Sequence, residues 1–422
     1  MGKMTRKSKE TMPTLKTILM NMVFAAGAVA GAAQEPSRTD INPALLYYQA
    51  FLAAPEPMSR ADLDFLGTKE GRRWKLPERC EALASGSGSQ FRLARLAARS
   101  KAPCDWGLDT SQGPGTLVPH LSRAKAVAQA GVLRVRWELQ QGQQAEARDD
   151  LLAMLALGRS ASRDGILVGA LVQMAIEAIT YNTLAANFGQ FSPDTLRQLV
   201  EGINAAPARG TVAGCIPWEK VMCRDWLVAR IQELQRSNLG DDAKAMAAFR
   251  DMFMAGQDSE QTNLWERVAH AAGGTTQGLV DLIRGLDPVS QRLAAISALP
   301  YGAFVKESKA FQAEIEAASN PLVPQQSSWL RACQKQFRIQ VREAMIRAAV
   351  EYKLRGDAGF QGVTDPCGQG PFVLRRFIFQ GVDRGFELTS AIDSVDAKSL
   401  IFVEKDGDPF LVDGPHVGEA VQ

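Results

Sequence analysis

Apolar side chains recur every three or four residues along most of the chain between residues 42 and 355. This spacing is typical of amphipathic helices. Three such segments follow one another closely, at 119–141, 143–159 and 164–186. Short turns between helices make them antiparallel neighbours. The pattern therefore predicts packed helical hairpins, arranged either as an irregular α-bundle or as a solenoid-like stack.

Capping residues indicate where two of these helices begin. Asn42 precedes Pro43, and Ser192 precedes Pro193. Asparagine and serine accept hydrogen bonds from the free N–H groups of a first turn, and proline is favoured at the first helical position. We therefore expect helices to begin at Pro43 and at Pro193.

The periodicity changes after Gly356, which follows a long helix predicted to end at Arg355. Apolar and β-branched residues then cluster in short segments bounded by glycine and aspartate, which is the pattern of strands and turns. These segments are 372–379, 386–392, 400–404 and 410–412. We predict a mostly α fold with a small C-terminal antiparallel β element, packed on the long helix.

The N-terminus has the composition of a secretory signal peptide. Residues 1–33 carry a net charge of +4, and the apolar run from Ile18 to Ala30 is followed by small residues. About 13 apolar residues are too few to cross roughly 30 Å of hydrocarbon as a helix. We expect cleavage near Ala30 or Ala33, after a translation start at Met1 or Met12.

Four segments are predicted from these boundaries: a signal peptide at 1–33, N-terminal helices with an irregular loop at 34–116, a main helical body at 117–355 and the β-rich element at 356–422. After cleavage, no membrane span is expected, because Gln173 and Glu177 interrupt the longest apolar stretch. The predicted location is the periplasm or the medium.

The composition argues against several classes of function. The chain beyond residue 33 is close to neutral and has no long basic run, so nucleic acid is not expected as a partner. The three histidines are isolated and no Cys-x-x-Cys occurs, so neither a metal nor another cofactor is predicted. No motif supplies a catalytic residue. The adjacent pair Asp149 and Asp150 is expected on the solvated surface, with side chains that point apart.

Six cysteines remain after the predicted cleavage. Disulfides form in oxidising compartments, and an even count permits them. We predict one bridge, between Cys80 and Cys104, because the helix predicted at residues 90–99 lets the chain turn back between them. The alternative is that these are buried free thiols.

An irregular stretch at residues 101–115 provides the weak site candidates Asp105, Trp106 and Asp109. A tryptophan and carboxylates on a loop can line a cleft. The alternative is that Trp106 anchors the loop in the core, as large apolar side chains usually do.

Several segments resemble a broad group of uncharacterised exported bacterial helical proteins. They are residues 42–51, with the sequence NPALLYYQAF, and residues 118–124, 150–155 and 169–178. The resemblance implies no activity and transfers no functional residue. Residues 365–372, DPCGQGPF, are similar to the turn before the C-terminal strands of type II secretion pseudopilins, although Cys367 replaces the aromatic residue and the pseudopilin leader is absent.

Together these observations favour an exported soluble scaffold that binds a protein or another partner in the cell envelope, and that is not an enzyme. The alternative is a carboxylate-based hydrolase that acts on an envelope polymer. Two carboxylates about 5–9 Å apart in a cleft would favour the hydrolase. An exposed apolar surface would favour the scaffold.

The export hypothesis makes a direct prediction. Protein isolated from its native host should begin just after Ala30 or Ala33, because the small residues there fit signal peptidase. Edman degradation or intact mass measurement checks this result. A mature chain that still begins at Met1 or Met12 would contradict it.

Overall fold

Side-chain caps set the beginnings of helices in the computed structural model. Asn42 Oδ1 accepts a hydrogen bond from the N–H of Ala44 at 3.0 Å, and Pro43 begins the helix. Ser192 Oγ accepts from the N–H of Thr195 at 3.2 Å, ahead of a second proline. Both predicted starts are confirmed.

The structure describes residues 40–55, 59–66, 68, 75–254, 259–379, 381–394, 398–405 and 419–421. They belong to one unit, Asp40–Gln422. The predicted signal peptide, its cleavage sites and the predicted strand at 410–412 lie outside the described residues. The boundaries predicted at residues 116 and 355 stay predictions.

Helices make up most of the described chain, and the predicted mostly α fold is confirmed. Those of the N-terminal half are α1 (Pro43–Leu52), α2 (Arg60–Leu66), α3 (Glu78–Gly86), α4 (Gly88–Ala98), α5 (Pro119–Gln140), α6 (Gln144–Ala161), α7 (Leu167–Ala186) and α8 (Pro193–Ala205). The next are α9 (Val212–Glu219), α10 (Trp226–Ser237), α11 (Asp242–Met254), α12 (Ser259–Ala271), α13 (Thr276–Arg284), α14 (Leu286–Ser297), α15 (Tyr301–Glu316) and α16 (Ser327–Gln361).

The regular helical path of α16 is broken at Gly356, whose φ of 62° lies in the left-handed region. Non-glycine residues rarely adopt that conformation, so glycine fits the break that the sequence predicts here. The chain then reaches the turn at Asp365, a buried residue whose carboxylate accepts hydrogen bonds from the Ser390 hydroxyl and the Ala391 N–H. This turn leads into the sheet.

The C-terminal sheet is antiparallel, as predicted. Its strands are β1 (Val373–Phe379), β2 (Val382–Thr389), β3 (Ser399–Val403) and a short β4 (Glu419–Val421), in the order β3-β2-β1-β4. Phe386 and Phe402 project from one face of the sheet and pack edge-on against Phe188, which follows α7. The largest hydrophobic core therefore extends from α1 to the sheet without interruption.

Four charged residues meet in the centre of this core. Arg159 of α6 donates to Glu177 Oε1 at 2.9 Å and to Glu343 Oε2 at 2.7 Å. Arg209, in the connection between α8 and α9, donates to the same two carboxylates at 2.9 and 2.6 Å. The Tyr181 hydroxyl adds a bond to Glu343 at 2.8 Å. We call these five residues the central ion network.

Glu343 of the central ion network stays charged although most of its side chain is buried. Two arginines balance two carboxylates, which offsets part of the cost of removing the charges from water. Burial would raise the pKa of Glu343, but Arg209, Arg347, Tyr181 and Arg159 together lower it to about 2. The ionised form of Glu343 is thus strongly favoured in the fold.

Helix α7 contains Glu177 and is otherwise apolar on most sides. By length and composition it could cross a membrane, but 56% of the relevant window is buried inside the protein. Its carboxylate is held by Arg159 and Arg209 in the protein interior. The structure therefore uses α7 as a core helix.

We predict that Glu343→Gln lowers the free energy of unfolding by about 3 kcal/mol, because it leaves the charges of Arg159 and Arg209 to share the single carboxylate of Glu177. Glu351→Gln is the matched control. It lies two turns later in α16 and pairs with the exposed Arg355, so its loss should cost under about 0.5 kcal/mol. Urea unfolding near neutral pH measures both values. Equal effects would contradict the prediction.

The same residue predicts a pH dependence. The pKa of Glu343 is lower in the fold than in the unfolded chain, so its contribution is present above about pH 4.5 and is lost as the pH falls towards 2. Between about pH 6 and pH 3, the wild type should lose about 2 kcal/mol more stability than Glu343→Gln. Parallel urea titrations at the two pH values check this difference.

Candidate functional site

The loop between α4 and α5 carries the residues that the sequence singles out, and Asn42 holds its first part. The Asn42 amide donates to the carbonyl of Asp105 at 2.7 Å and accepts from the N–H of the same residue at 3.1 Å. The Asp105 carboxylate is exposed and accepts from the N–H of Gly107 at 2.9 Å. Asp105 therefore stabilises a turn, and its side chain faces solvent.

Trp106 anchors this loop in the core. Its side chain is 3% exposed, and its ring stacks against Tyr47 and Phe51 of α1 and against His120 of α5. The indole Nε1 donates to the carbonyl of Ser160 at 2.9 Å, so its polar atom is satisfied. Two roles were expected for Trp106, lining a cleft or anchoring the loop in the core, and the structure shows the second.

Asp109 has a third, separate role. Its Oδ1 accepts from the N–H of Ser111 at 2.9 Å and caps a 3₁₀ turn, Thr110–Gly115. Gly113 in this turn has a φ of 54°, and a Cβ there would lie 2.4 Å from the ring of Trp226. The Trp226 indole donates to the carbonyl of Ser111 at 2.8 Å. The turn is thus fixed against α10 by close contact and by one hydrogen bond.

A groove of about 880 Å³ lies between this turn and the helices that follow. Its lining residues are Ser111, Gln112, Pro114, Gly115, Trp226, Leu227, Ala229, Arg230, Glu233, Arg236 and Met252. Arg230 pairs with Glu233 at 2.6 Å, whereas Arg236 makes no ion pair within the part of the chain that the structure describes. The groove combines an apolar wall with the positive charge of Arg236.

A second cleft, of about 520 Å³, lies between the end of α12 and the segment that joins α15 to α16. Glu266, His270 and Glu316 line it, and all three side chains are exposed. Among the described residues, no group of three or more His, Cys, Asp or Glu side chains is placed to hold a metal ion.

The structure corrects the surface position that was predicted for Asp150. Asp150 is fully buried and pairs with Arg95 and Arg134, and both arginines also bind Glu138. Burial and the neighbouring Asp150 carboxylate raise the pKa of Glu138 to about 8. Two adjacent aspartates suggested a solvated pair, but only Asp149 is partly exposed. Neighbouring helix positions face different directions, so only one of them turns into the core.

The predicted disulfide between Cys80 and Cys104 is absent, and both residues are free thiols. Cys80 packs with Leu76, Ala84 and Leu133 in a small separate cluster. Cys104 packs against the largest core. Spacing along the chain allowed the bridge, but the two side chains belong to different clusters and are not close.

Sequence reasoning missed the residues that the fold actually brings together. Glu177 was visible as a charge inside an apolar helix, and that signal indicates a buried partner. Its partners, Arg159 and Arg209, carry no local signal of their own. Asp105, Trp106 and Asp109 lie on one loop but do not converge on a common point, because each makes its own structural contact.

No family model, curated protein or solved structure matches the chain. The likeness to exported helical proteins and to pseudopilin turns therefore stays a resemblance.

The free thiols lead to a prediction. Protein unfolded in denaturant without reductant should take up an alkylating reagent at all six cysteines, because the structure pairs none of them. Peptide mapping by mass spectrometry measures the modification at each site. A Cys80–Cys104 peptide linked by a disulfide would restore the sequence-based hypothesis.

Proposed function

We propose that the protein is an exported scaffold of the cell envelope, which binds a partner protein in the groove between the Thr110–Gly115 turn and α10. The groove is the observation that carries this proposal. Its volume of about 880 Å³ falls in the range of specific binding pockets.

The chemistry of the groove indicates the kind of partner. Trp226, Leu227 and Met252 offer apolar contact, and methionine adapts its shape to different side chains. Arg236 supplies a positive charge that no described residue balances. An extended peptide segment with an apolar side chain beside an aspartate or a glutamate matches both features.

The second cleft is the place where the alternative function, a carboxylate-based hydrolase, would act. It contains two carboxylates, and Gln312 donates a hydrogen bond to Glu316 at 2.5 Å. Its lining side chains Glu266, His270 and Glu316 are exposed to water, where electrostatic effects on a reaction are weak. The first groove therefore has the stronger support.

Site-specific photo-crosslinking in the native host tests the binding proposal. A photoreactive amino acid at Ala229, an exposed groove residue, should form one main adduct with an envelope protein. The crosslinked peptide should contain a carboxylate beside apolar side chains. Adding Arg236→Glu should reduce the adduct about tenfold, because the charge pair becomes a repulsion.

Arg331 provides the matched control. It is exposed on α16 and lies outside the groove. A photoreactive residue at position 331 should not form the main adduct, and Arg331→Glu should not reduce the adduct that forms at position 229. The proposal fails if both positions give the same adducts, if Arg236→Glu has no effect, or if the crosslinked peptide is basic.

A further inference from the structure

One cluster beside the loop contains buried polar atoms without hydrogen-bond partners in the described chain. His120 lies in the first turn of α5, is 1% exposed, and has two unpartnered ring nitrogens. Asp164, between α6 and α7, places its Oδ2 3.7 Å from His120 Nε2, and this oxygen is unpartnered as well. A buried polar atom left unpaired costs about 1–3 kcal/mol, so this arrangement needs an explanation.

The titratable groups near the pair come from α1, the loop and the connection that carries Asp164. Tyr48, Cys104 and Asp105 interact with Asp164. Tyr47 and Arg163 interact with Cys104. Burial, and then the charge of Asp105, raises the pKa of Asp164 to about 6. Burial lowers the pKa of His120 to about 4. At neutral pH the imidazole is neutral and the carboxylate is charged.

We propose that His120 and Asp164 form a proton-binding site, in which one proton from solvent binds Asp164 and converts a loose contact into an O–H···N hydrogen bond. Protonated Asp164 Oδ2 is a donor, and a neutral imidazole has one ring nitrogen that accepts. Such a bond is about 2.8 Å long, so closing the pair moves the two groups together by about 1 Å.

This movement has a direct route to the loop. The His120 ring stacks on Trp106 with centroids 4.4 Å apart, and Trp106 anchors the loop. The same loop carries Ser111, whose carbonyl accepts the bond from Trp226 at the wall of the groove. Mild acid therefore shifts the loop and the groove wall together. Its effect on a partner rests on the proposed function, whereas proton binding itself does not.

Nitrogen-15 NMR of histidine tests the proposal on the full mature chain, purified without a histidine tag. In the double variant His270→Gln/His416→Gln, His120 is the sole histidine, so its ring signals can be assigned without a further substitution. We expect the ring-nitrogen signals to shift with a midpoint near pH 6, where Asp164 takes up its proton and donates it to the neutral imidazole. Asp164→Asn should remove this transition, because the amide binds no proton in this range, and should leave only the formation of the imidazolium near pH 4.

Asp109→Asn is the matched control, because asparagine keeps the acceptor that caps the 3₁₀ turn and Asp109 is not among the causes of the pKa shifts of His120 and Asp164. It should leave the midpoint unchanged. The indole signals of Trp106 and Trp226 should move over the same pH interval as His120. If Asp164→Asn leaves the His120 transition unchanged, or if that transition is absent above pH 4, the proton site is overturned. If the indole signals do not move, the link to the loop is overturned. If no groove adduct forms in the crosslinking experiment but the His120 transition is observed, the proposed function is contradicted and the proton site is not.

Discussion

The central ion network is the constraint on which the rest of the structure depends. Burying a charge without a partner costs several kcal/mol, so Glu177 can occupy a core helix only where two arginines reach it. Arg159, Arg209 and Glu343 come from three other segments of the chain. Satisfying Glu177 therefore fixes α6, α7, α16 and the connection after α8 against one another, and most alternative packings of these apolar helices would leave a charge unpaired.

The loop between α4 and α5 is placed by this frame. Trp106 binds the carbonyl of Ser160, which is the neighbour of Arg159 in α6. The same helix thus holds the network on one side and the loop on the other. The far end of the loop is fixed by Trp226 against Gly113. The groove between these attachments has walls from distant parts of the sequence, and their relative position follows from the core.

Local chemistry explains what the sequence could predict. The helix caps at Asn42 and Ser192 act on backbone groups within four residues, and the break at Gly356 depends on its own φ angle, so these effects can be inferred from neighbours alone. The clustering of apolar and β-branched residues likewise predicted β1, β2 and β3 to within a few positions, whereas β4 was not predicted. Glu177 and Glu343 are different, because their pairing depends on how helices far apart in sequence pack. The same limit explains the errors at Asp150 and at the Cys80–Cys104 bridge, where spacing says nothing about the direction of a side chain.

The distribution of charge also bears on function. The carboxylates that lie together in the interior are held by arginines. Glu177, Glu138 and Asp150 each pair with two arginines, and Glu343 pairs with three. Such groups are already engaged as ion-pair partners and are shielded from a substrate in solution. Arg236 is in the opposite situation, because it stands at an open groove and no described side chain neutralises it. This arrangement supports the proposed binding function, since a surface charge beside an apolar wall costs little alone and attracts a complementary partner.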